Sequence, residues 1–457
     1  MITGRNYQNV FDHVLNRVKP SNAEIKEDWE FIGNIVHRLD KLTPKDISVE
    51  VAGSIAKGTS LRGDRDFDVF LLFSKSYSVM ELMTDGLKYA KQVVKAVKAD
   101  KSEIAYAEHP YLRAWVKGKE IDIVPSYKIA DISERVTAVD RSPLHTRYVN
   151  SVLNKEQKDE VRLLKQFLKG AGVYGAEGKI QGFSGYLCEL LIISHSSFID
   201  LLESASKWKG TPVFDIEKNR DPKTLVGKFQ GPAMIVVDPV DENRNVAAAV
   251  SKTSLSVLIH SAREFLRSPS VRYFFPPEKK VSKKWIEKQL KQRDSLITGV
   301  EIDKPQIVED ILWPQLYKFA DKIGHRAKEH GFSLFDNDIA EKNGKMLVMF
   351  EFEIYRLPKM KKVIGPPLWF KEDVEEFIKK HKVIEPIWFD HDRILSLSKR
   401  KFEKVEELLK DVKARSKEYG VPPDIKKKIS KAKVLSLANI KKRYLEFLFN
   451  YLQKRNL

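Results

Sequence analysis

Cysteine is nearly absent from this chain: Cys188 stands alone among 457 residues. A single thiol excludes an intrachain disulfide framework and any zinc site built on cysteines, and it fits a reducing, cytoplasmic setting. Long apolar runs are missing too. Those present are short and broken by charge, well below the roughly 20 residues of a membrane-spanning helix, so no membrane partner is expected. The N-terminus has no basic segment leading into an apolar one, so no signal peptide is read there. Internal repeats and long low-complexity linkers are likewise not seen. Hydrophobic residues make up 42% of the chain, enough for two to four domains with substantial cores.

Acidic residues are outnumbered, 63 Asp and Glu against 81 Lys and Arg, for a formal net charge of +18. Such a balance points to a polyanionic partner, nucleic acid before acidic lipid. The excess is concentrated. From Ser396 to Leu457 there are 18 Lys and Arg against 7 Asp and Glu, so +11 of the +18 lies in the last 62 residues. That favours a binding surface near the C-terminus.

Periodicity orders the rest. Ile25, Trp29, Ile32, Ile35, Val36 and Leu39 recur at helical spacing between Ser21 and Leu42. "DISVEVAG" alternates Ile47, Val49 and Val51 as a strand ending at Gly53, and "DFDVFLLF" (Asp66–Phe73) is a second strand. Val79 to Val97 forms an amphipathic helix, and "AWVKGKEIDIVPSY" a hairpin turning at Gly118 whose outgoing strand carries Asp122. From about Asn154 to Leu266 the pattern is mainly helical. There "SGYLCELLIISHSSFIDLLE" starts at a Ser184 N-cap and is apolar nearly all round, as one buried helix would be. Beyond Pro269 the pattern is mixed, with a hairpin at Asn343-Gly344 in which Phe350, Phe352 and Ile354 alternate with Glu351 and Glu353.

The chemistry sits in "GSIAKGTSLRGDRDFDVF", Gly53 to Phe70. Asp66 and Asp68 are one residue apart, so on a strand both side chains leave the same face. Two carboxylates that close repel, and divalent cations relieve the repulsion. Asp122, between Ile121 and Ile123 on another strand, is the candidate third ligand. Three carboxylates on adjacent strands are a cradle for two metal ions in phosphoryl or nucleotidyl transfer. Gly53 and Ser54 after a strand offer backbone N–H groups and a hydroxyl to phosphate oxygens, and Lys57 adds positive charge. "GFSLFDNDIAEKNG" lacks the spacing and closing Glu of an EF-hand.

The pattern Gly-Ser, Asp-x-Asp, then a later Asp resembles the polymerase-β-like nucleotidyltransferase superfamily. With "DIVPSYKI", "VDRSPLHTRYV", "GFSGYLCELLI" and "DPVDENRNVAAAVS", the chain is similar over most of its length to the archaeal, class I, CCA-adding tRNA nucleotidyltransferases. Neither the Arg-Arg-Asp-type motif nor the Glu-Asp-x-x-Arg motif of the class II enzymes occurs. The resemblance implies an α+β fold. Residues 1–143 would be a catalytic head with a mixed-sheet palm, 144–268 a helical neck, and 269–457 a mixed α/β body and tail that binds tRNA.

The same resemblance implies metal ligation by Asp66, Asp68 and Asp122, with Asp122 also helping to activate the primer 3′-hydroxyl. It implies triphosphate contacts from Gly53, Ser54 and Lys57, ribose and phosphate contacts from His145, Lys165 and Tyr174, and base reading by Arg244. Ser60 departs from the bulkier residue expected beside the loop. Read without the family, Lys165 lies opposite much of the apolar stripe of its helix and is a solvated lysine, and Arg244 is a loop salt-bridge former. Lys426, Lys427, Lys428, Lys441, Lys442 and Arg443 are the candidates for RNA backbone contacts. The expected reaction is template-independent addition of C-C-A to tRNA from CTP and ATP with two Mg²⁺ ions. A homodimer is compatible with it. The rival readings are a poly(A) polymerase or another RNA-terminal nucleotidyltransferase, and a catalytically inactive RNA-binding relative.

Overall fold

In a computed structural model, which describes residues 7–64, 66–106, 109–381 and 386–454, the chain divides into two compact units that meet near residues 278 and 279. Each is described by itself.

The first unit is built on a five-stranded sheet. Its strands are β1 (Ser48–Ala52), β2 (Phe67–Phe73), β3 (Lys101–Tyr106), β4 (Pro110–Val116) and β5 (Lys119–Tyr127), in the order β1-β2-β5-β4-β3. Only the central β2–β5 pair is parallel. Phe67, Val69, Leu71 and Phe73, all on one face of β2, are buried against two helices. α2 (Asn22–Leu42) contributes Ile32, Ile35 and Leu39, and α4 (Val79–Ala96) contributes Leu82, Ala90 and Val93. Both helices begin with capping boxes, Ser21 with Glu24 and Ser78 with Glu81, which satisfy their first N–H groups. The opposite face buries a smaller cluster of Ala52, Phe70, Leu72 and Val124.

A helical layer completes this unit. It contains α1 (Tyr7–Val18), α5 (Arg141–Val152), α6 (Lys155–Ala171), α7 (Gly185–His195), α8 (Phe198–Ala205), α9 (Pro222–Lys228) and α10 (Lys252–Arg267). A short α3 (Gly53–Lys57) follows β1, and β6 (Val213–Phe214) pairs parallel with β7 (Ile235–Val236). Phe11, Phe167, Phe198, Phe265 and Phe274 meet largely edge to face in the core of the layer, a geometry that adds to simple area burial. Phe11 belongs to α1. The first helix therefore packs into the helical core, although the sequence reading grouped residues 1–143 as the catalytic head.

The run after Ser184 is not one helix. Ser184 caps α7 as expected, accepting from the Leu187 N–H at 3.1 Å, but α7 and α8 are bent apart by 90°. Ser196, at φ +68, makes the corner, and a uniformly apolar run carries no sign of such a turn. Among the described residues no single helix is long and apolar enough to cross a membrane.

The second unit opens with α11 (Lys283–Arg293), then β8 (Leu296–Asp303), α12 (Glu309–His330), β9 (Ser333–Lys342) and β10 (Lys345–Ile354). β9 and β10 form the expected hairpin, with Asn343 and Gly344 both at positive φ. After β11 (Met360–Pro367), α13 (Lys371–His381), β12 (Ile387–Asp390) and β13 (Arg393–Lys399) come α14 (Val405–Ala414), α15 (Pro423–Ile429), β14 (Lys433–Ser436), α16 (Leu437–Arg443) and α17 (Leu445–Gln453). The strands make an antiparallel sheet β14-β8-β10-β9 and a smaller one, β11-β13-β12.

Glu351, expected on a polar face, is only 1% exposed. Both faces of β10 are covered: Val348, Phe350 and Phe352 pack with α12, while Leu347 and Met349 pack with α17. Glu351 accepts hydrogen bonds from Arg293 (2.9 Å), Ser295 (2.5 Å) and Tyr451 (2.6 Å). On β8, the buried Glu301 likewise accepts from Arg443 and Tyr444, each at 2.7 Å.

Candidate active site

Strand register assembles the site. Ala52 lies opposite Asp68 on the β1–β2 pair, Asp68 is level with Asp122 across the parallel pair, and Asp122 faces Arg113 on β4. One row across the sheet thus places two of the expected carboxylates side by side. Asp66, two residues before Asp68, stands exposed just ahead of β2. Burial first, then the charges of Asp122 and Asp66, push the Asp68 carboxyl up to about 7. The Asp66 carboxyl is raised by desolvation and by Asp64 and Asp122. Negative charge is crowded here.

Gly53 explains part of the crowding. It adopts φ +73, and a Cβ there would lie 1.9 Å from Oδ2 of Asp68. The turn after β1 therefore passes directly over the carboxylate, which only glycine permits.

The donor set suits a hard divalent cation, being all carboxylate oxygen on neighbouring strands. Among the described residues, however, no three His, Cys, Asp or Glu side chains are already drawn together as a metal cluster. Asp122 is held instead by Arg113, whose Nε and Nη2 donate to its two oxygens at 2.8 and 2.7 Å. Arg113 was missed in the sequence, yet the hairpin turn at Lys117-Gly118 fixes it opposite Asp122. The residues fit a metal by chemistry and placement, with a guanidinium now balancing one of them.

The loop that follows Gly53 is held from the helical layer. Arg162 donates to the carbonyls of Gly58 (2.5 Å) and Ser60 (3.0 Å). Lys165 is buried, not solvated, and its Nζ donates to Thr59 O and Oγ1 at 3.1 and 3.2 Å. α6 is covered on that side by the loop itself, so the apolar stripe alone misplaces this lysine. At the centre lies Glu189 on α7, fully buried and unanticipated. It accepts from Lys57 at 2.6 Å and from Thr59 at 2.5 Å, with Lys165 at 3.6 Å. Burial alone would raise the Glu189 carboxyl, but the two ammonium groups and Thr59 hold it below its ordinary value. Glu189 is the lone charge in "GYLCELLII", and that was the available signal. Tyr174 is close by: its Oη and the Lys165 Nζ both approach Gly185, where a Cβ would lie 3.3 and 3.5 Å from them.

The remaining candidates converge on a second buried carboxylate, Asp238, also missed because it sits in an ordinary acidic loop. His145 Nε2 and Arg244 Nη1 each lie 2.9 Å from its Oδ2. Tyr186, stacked on His145 with ring centres 4.0 Å apart, donates to Oδ1 at 3.0 Å. Burial opposes ionisation of Asp238, yet the bonds from His145 and Arg244 hold it at about 2. Arg244 lines a cleft of about 860 Å³ with Arg135, Arg141, Ala176, Ser184 and Phe229. Arg135 and Arg141 both pair with Asp241 at 3.0 Å.

The six basic candidates for RNA lie in the second unit, on α15 and α16. Lys427 pairs with Asp424 at 2.7 Å, Lys441 with Glu287, and Arg443 with buried Glu301. Lys426 and Lys442 are exposed, and Lys428 is half-buried.

A mixed sheet with acidic residues in register on one face, beneath a Gly-Ser turn, defines a nucleotidyltransferase, and the nucleotidyltransferase domain model matches residues 32–145. Two further models match: the second domain of tRNA nucleotidyltransferase over 159–275, and the C-terminal domain of the CCA-adding enzyme over 293–436. The chain is 37% identical to the CCA-adding enzyme of Methanosarcina acetivorans over 82% of each chain. It is also 37% identical to that of Methanocaldococcus jannaschii, over 89% of this chain and 90% of the relative. For Methanothermobacter thermautotrophicus the identity is 34%, over 88% and 87%. The chain belongs to the family of CCA-adding enzymes. Among solved structures, a cytoplasmic RNA terminal U-transferase aligns at 15% identity and a TM-score of 0.47, over 60% of this chain and 100% of that one.

Proposed function

We propose that this chain rebuilds the 3′-terminal C-C-A of tRNA from CTP and ATP without a nucleic-acid template. The observation that carries this reading is the row of Asp68 and Asp122 in register, with Asp66 beside it and Gly53 closing over Asp68. Two Mg²⁺ ions at Asp66, Asp68 and Asp122 would neutralise charge on the attacking and leaving oxygens when bound.

The chain's own groups do the remaining work. Ser54 and the Gly53 turn, with Lys57 and Lys165 behind them, receive the triphosphate. Tyr174 and His145 border the sugar and phosphates. The tRNA 3′-oxygen bonds to the α-phosphorus, the α–β phosphoanhydride bond breaks, and pyrophosphate leaves. Asp122 helps take the proton from the attacking hydroxyl. Arg244 reads the base edge, and the basic α15 and α16 follow the A-form backbone of the acceptor arm, a recognition of shape and charge.

The test is a sequencing-gel assay on tRNA transcripts ending at the discriminator base, with Mg²⁺. Two additions with CTP alone, and a third only when ATP is added, are expected. A ladder with ATP alone would replace this reading by poly(A) synthesis. No extension, with tight RNA binding retained, would make the chain an inactive RNA-binding relative.

A further inference from the structure

Arginine reads a base only if its guanidinium is aimed, because it is a long side chain with many rotamers. Arg244 sits on a loop with a third of its side chain exposed. It is nevertheless tied at two points to one residue. Its Nη1 donates to the Asp238 carboxylate at 2.9 Å, and its carbonyl accepts from the Asp238 N–H at 3.0 Å. Asp238 is itself immobile: its side chain is 0% exposed and also accepts from Tyr186 and from the Val240 N–H, both at 3.0 Å.

Among the described residues, Nε and Nη2 of Arg244 have no partner, so two sets of donors stay available on a guanidinium whose third nitrogen is fixed. Cytosine and adenine both offer an unprotonated ring nitrogen beside their exocyclic amine. Uracil and guanine carry an N–H at that position. An aimed row of donors accepts the first pair and repels the second.

We propose that Asp238 is a positioning residue for base selection, presenting Arg244 in the one orientation that favours cytosine and adenine over uracil and guanine. This rests on the nucleotide-binding reading of the cleft. The same carboxylate orders the sugar side. It fixes His145 through Nε2 and holds the stacked Tyr186, so one buried anion sets the relative position of base reader and imidazole. Burial lowers the His145 pKa despite the neighbouring Asp238 carboxylate.

The test compares Asp238→Asn with the parent chain. Direct binding of CTP and UTP is measured by calorimetry, and single-nucleotide extension of tRNA transcripts with each. The CTP-over-UTP preference is expected to fall by roughly tenfold or more, with tRNA affinity unchanged. In the background of Arg244→Ala, the second change is expected to remove no further selectivity, because Asp238 acts through Arg244. Tyr186→Phe, which leaves the charge in place, is expected to lose about threefold and serves if Asp238→Asn fails to fold. A preference kept within about twofold in either folded variant, or a further loss in the Arg244→Ala background, overturns the inference. Nucleotide preference is read by binding as well as by extension. A parent chain that prefers CTP but extends no RNA would therefore sink the proposed function while leaving Asp238 to be judged on its own result.

Discussion

Among the buried carboxylates of this protein, Glu301 and Glu351 in the second unit keep different company from Glu189 and Asp238 in the first. In the second unit Glu301 and Glu351 accept from arginines, tyrosines and a serine. Their partners fasten the C-terminal helices to β8 and β10, and the Arg293 guanidinium reaches on to the Leu452 carbonyl at 3.0 Å. In the first unit Glu189 and Asp238 gather lysines, an arginine and a histidine, the groups proposed above to receive the nucleotide. A buried anion can thus close a fold or hold cations ready for a ligand. The chemistry of its partners separates the two cases: lysines and a histidine gather on Glu189 and Asp238, whereas Glu301 and Glu351 are met by arginine, tyrosine and serine alone.

That contrast is open to attack by mutation. The largest effect is expected where no buried anion compensates, at the row in the sheet: Asp68→Asn should cut nucleotide addition on the order of 10³-fold in a primer-extension assay, with the fold kept by circular dichroism. Glu189→Gln comes next. It leaves two buried ammonium groups without a counter-charge, and about 3 kcal/mol of stability should disappear in urea unfolding, together with weaker triphosphate binding. If binding is unchanged while stability falls, Glu189 belongs with the structural pair. Glu351→Gln should lower stability by about 2 kcal/mol and leave CTP affinity untouched, and a shift in CTP affinity would erase the distinction between the units. The smallest effect is expected at the surface. Replacing Lys426, Lys427 and Lys428 with alanine should flatten the salt dependence of tRNA binding by roughly one to three contacts' worth of slope. An unaltered slope would move the RNA surface elsewhere.

The reach of the sequence follows the same division. Asp66, Asp68 and Asp122 were legible because strand alternation has a period of two, and charge inside an apolar strand stands out against it. Arg113 follows from the same logic once the Lys117-Gly118 turn sets the register. Lys165 was misjudged because helical periodicity reports one face of a helix, whereas α6 is also covered by the loop after Gly53. The bend at Ser196 was hidden because Ser184 to Glu203 is apolar nearly all round, and a single residue in the left-handed region leaves no periodic trace. Glu189 and Asp238 escaped for a different reason. Their partners come from segments up to 132 residues away, and a buried ion pair has no local pattern.

Gly53 has a consequence for how this chain tolerates change. With Asp68 Oδ2 standing where a methyl group would go, the turn and the strand cannot drift apart in sequence independently. A saturation library at position 53 should return glycine alone. The revertants of any other choice would be sought not in the turn but in the strand beneath it, at the cost of the carboxylate itself.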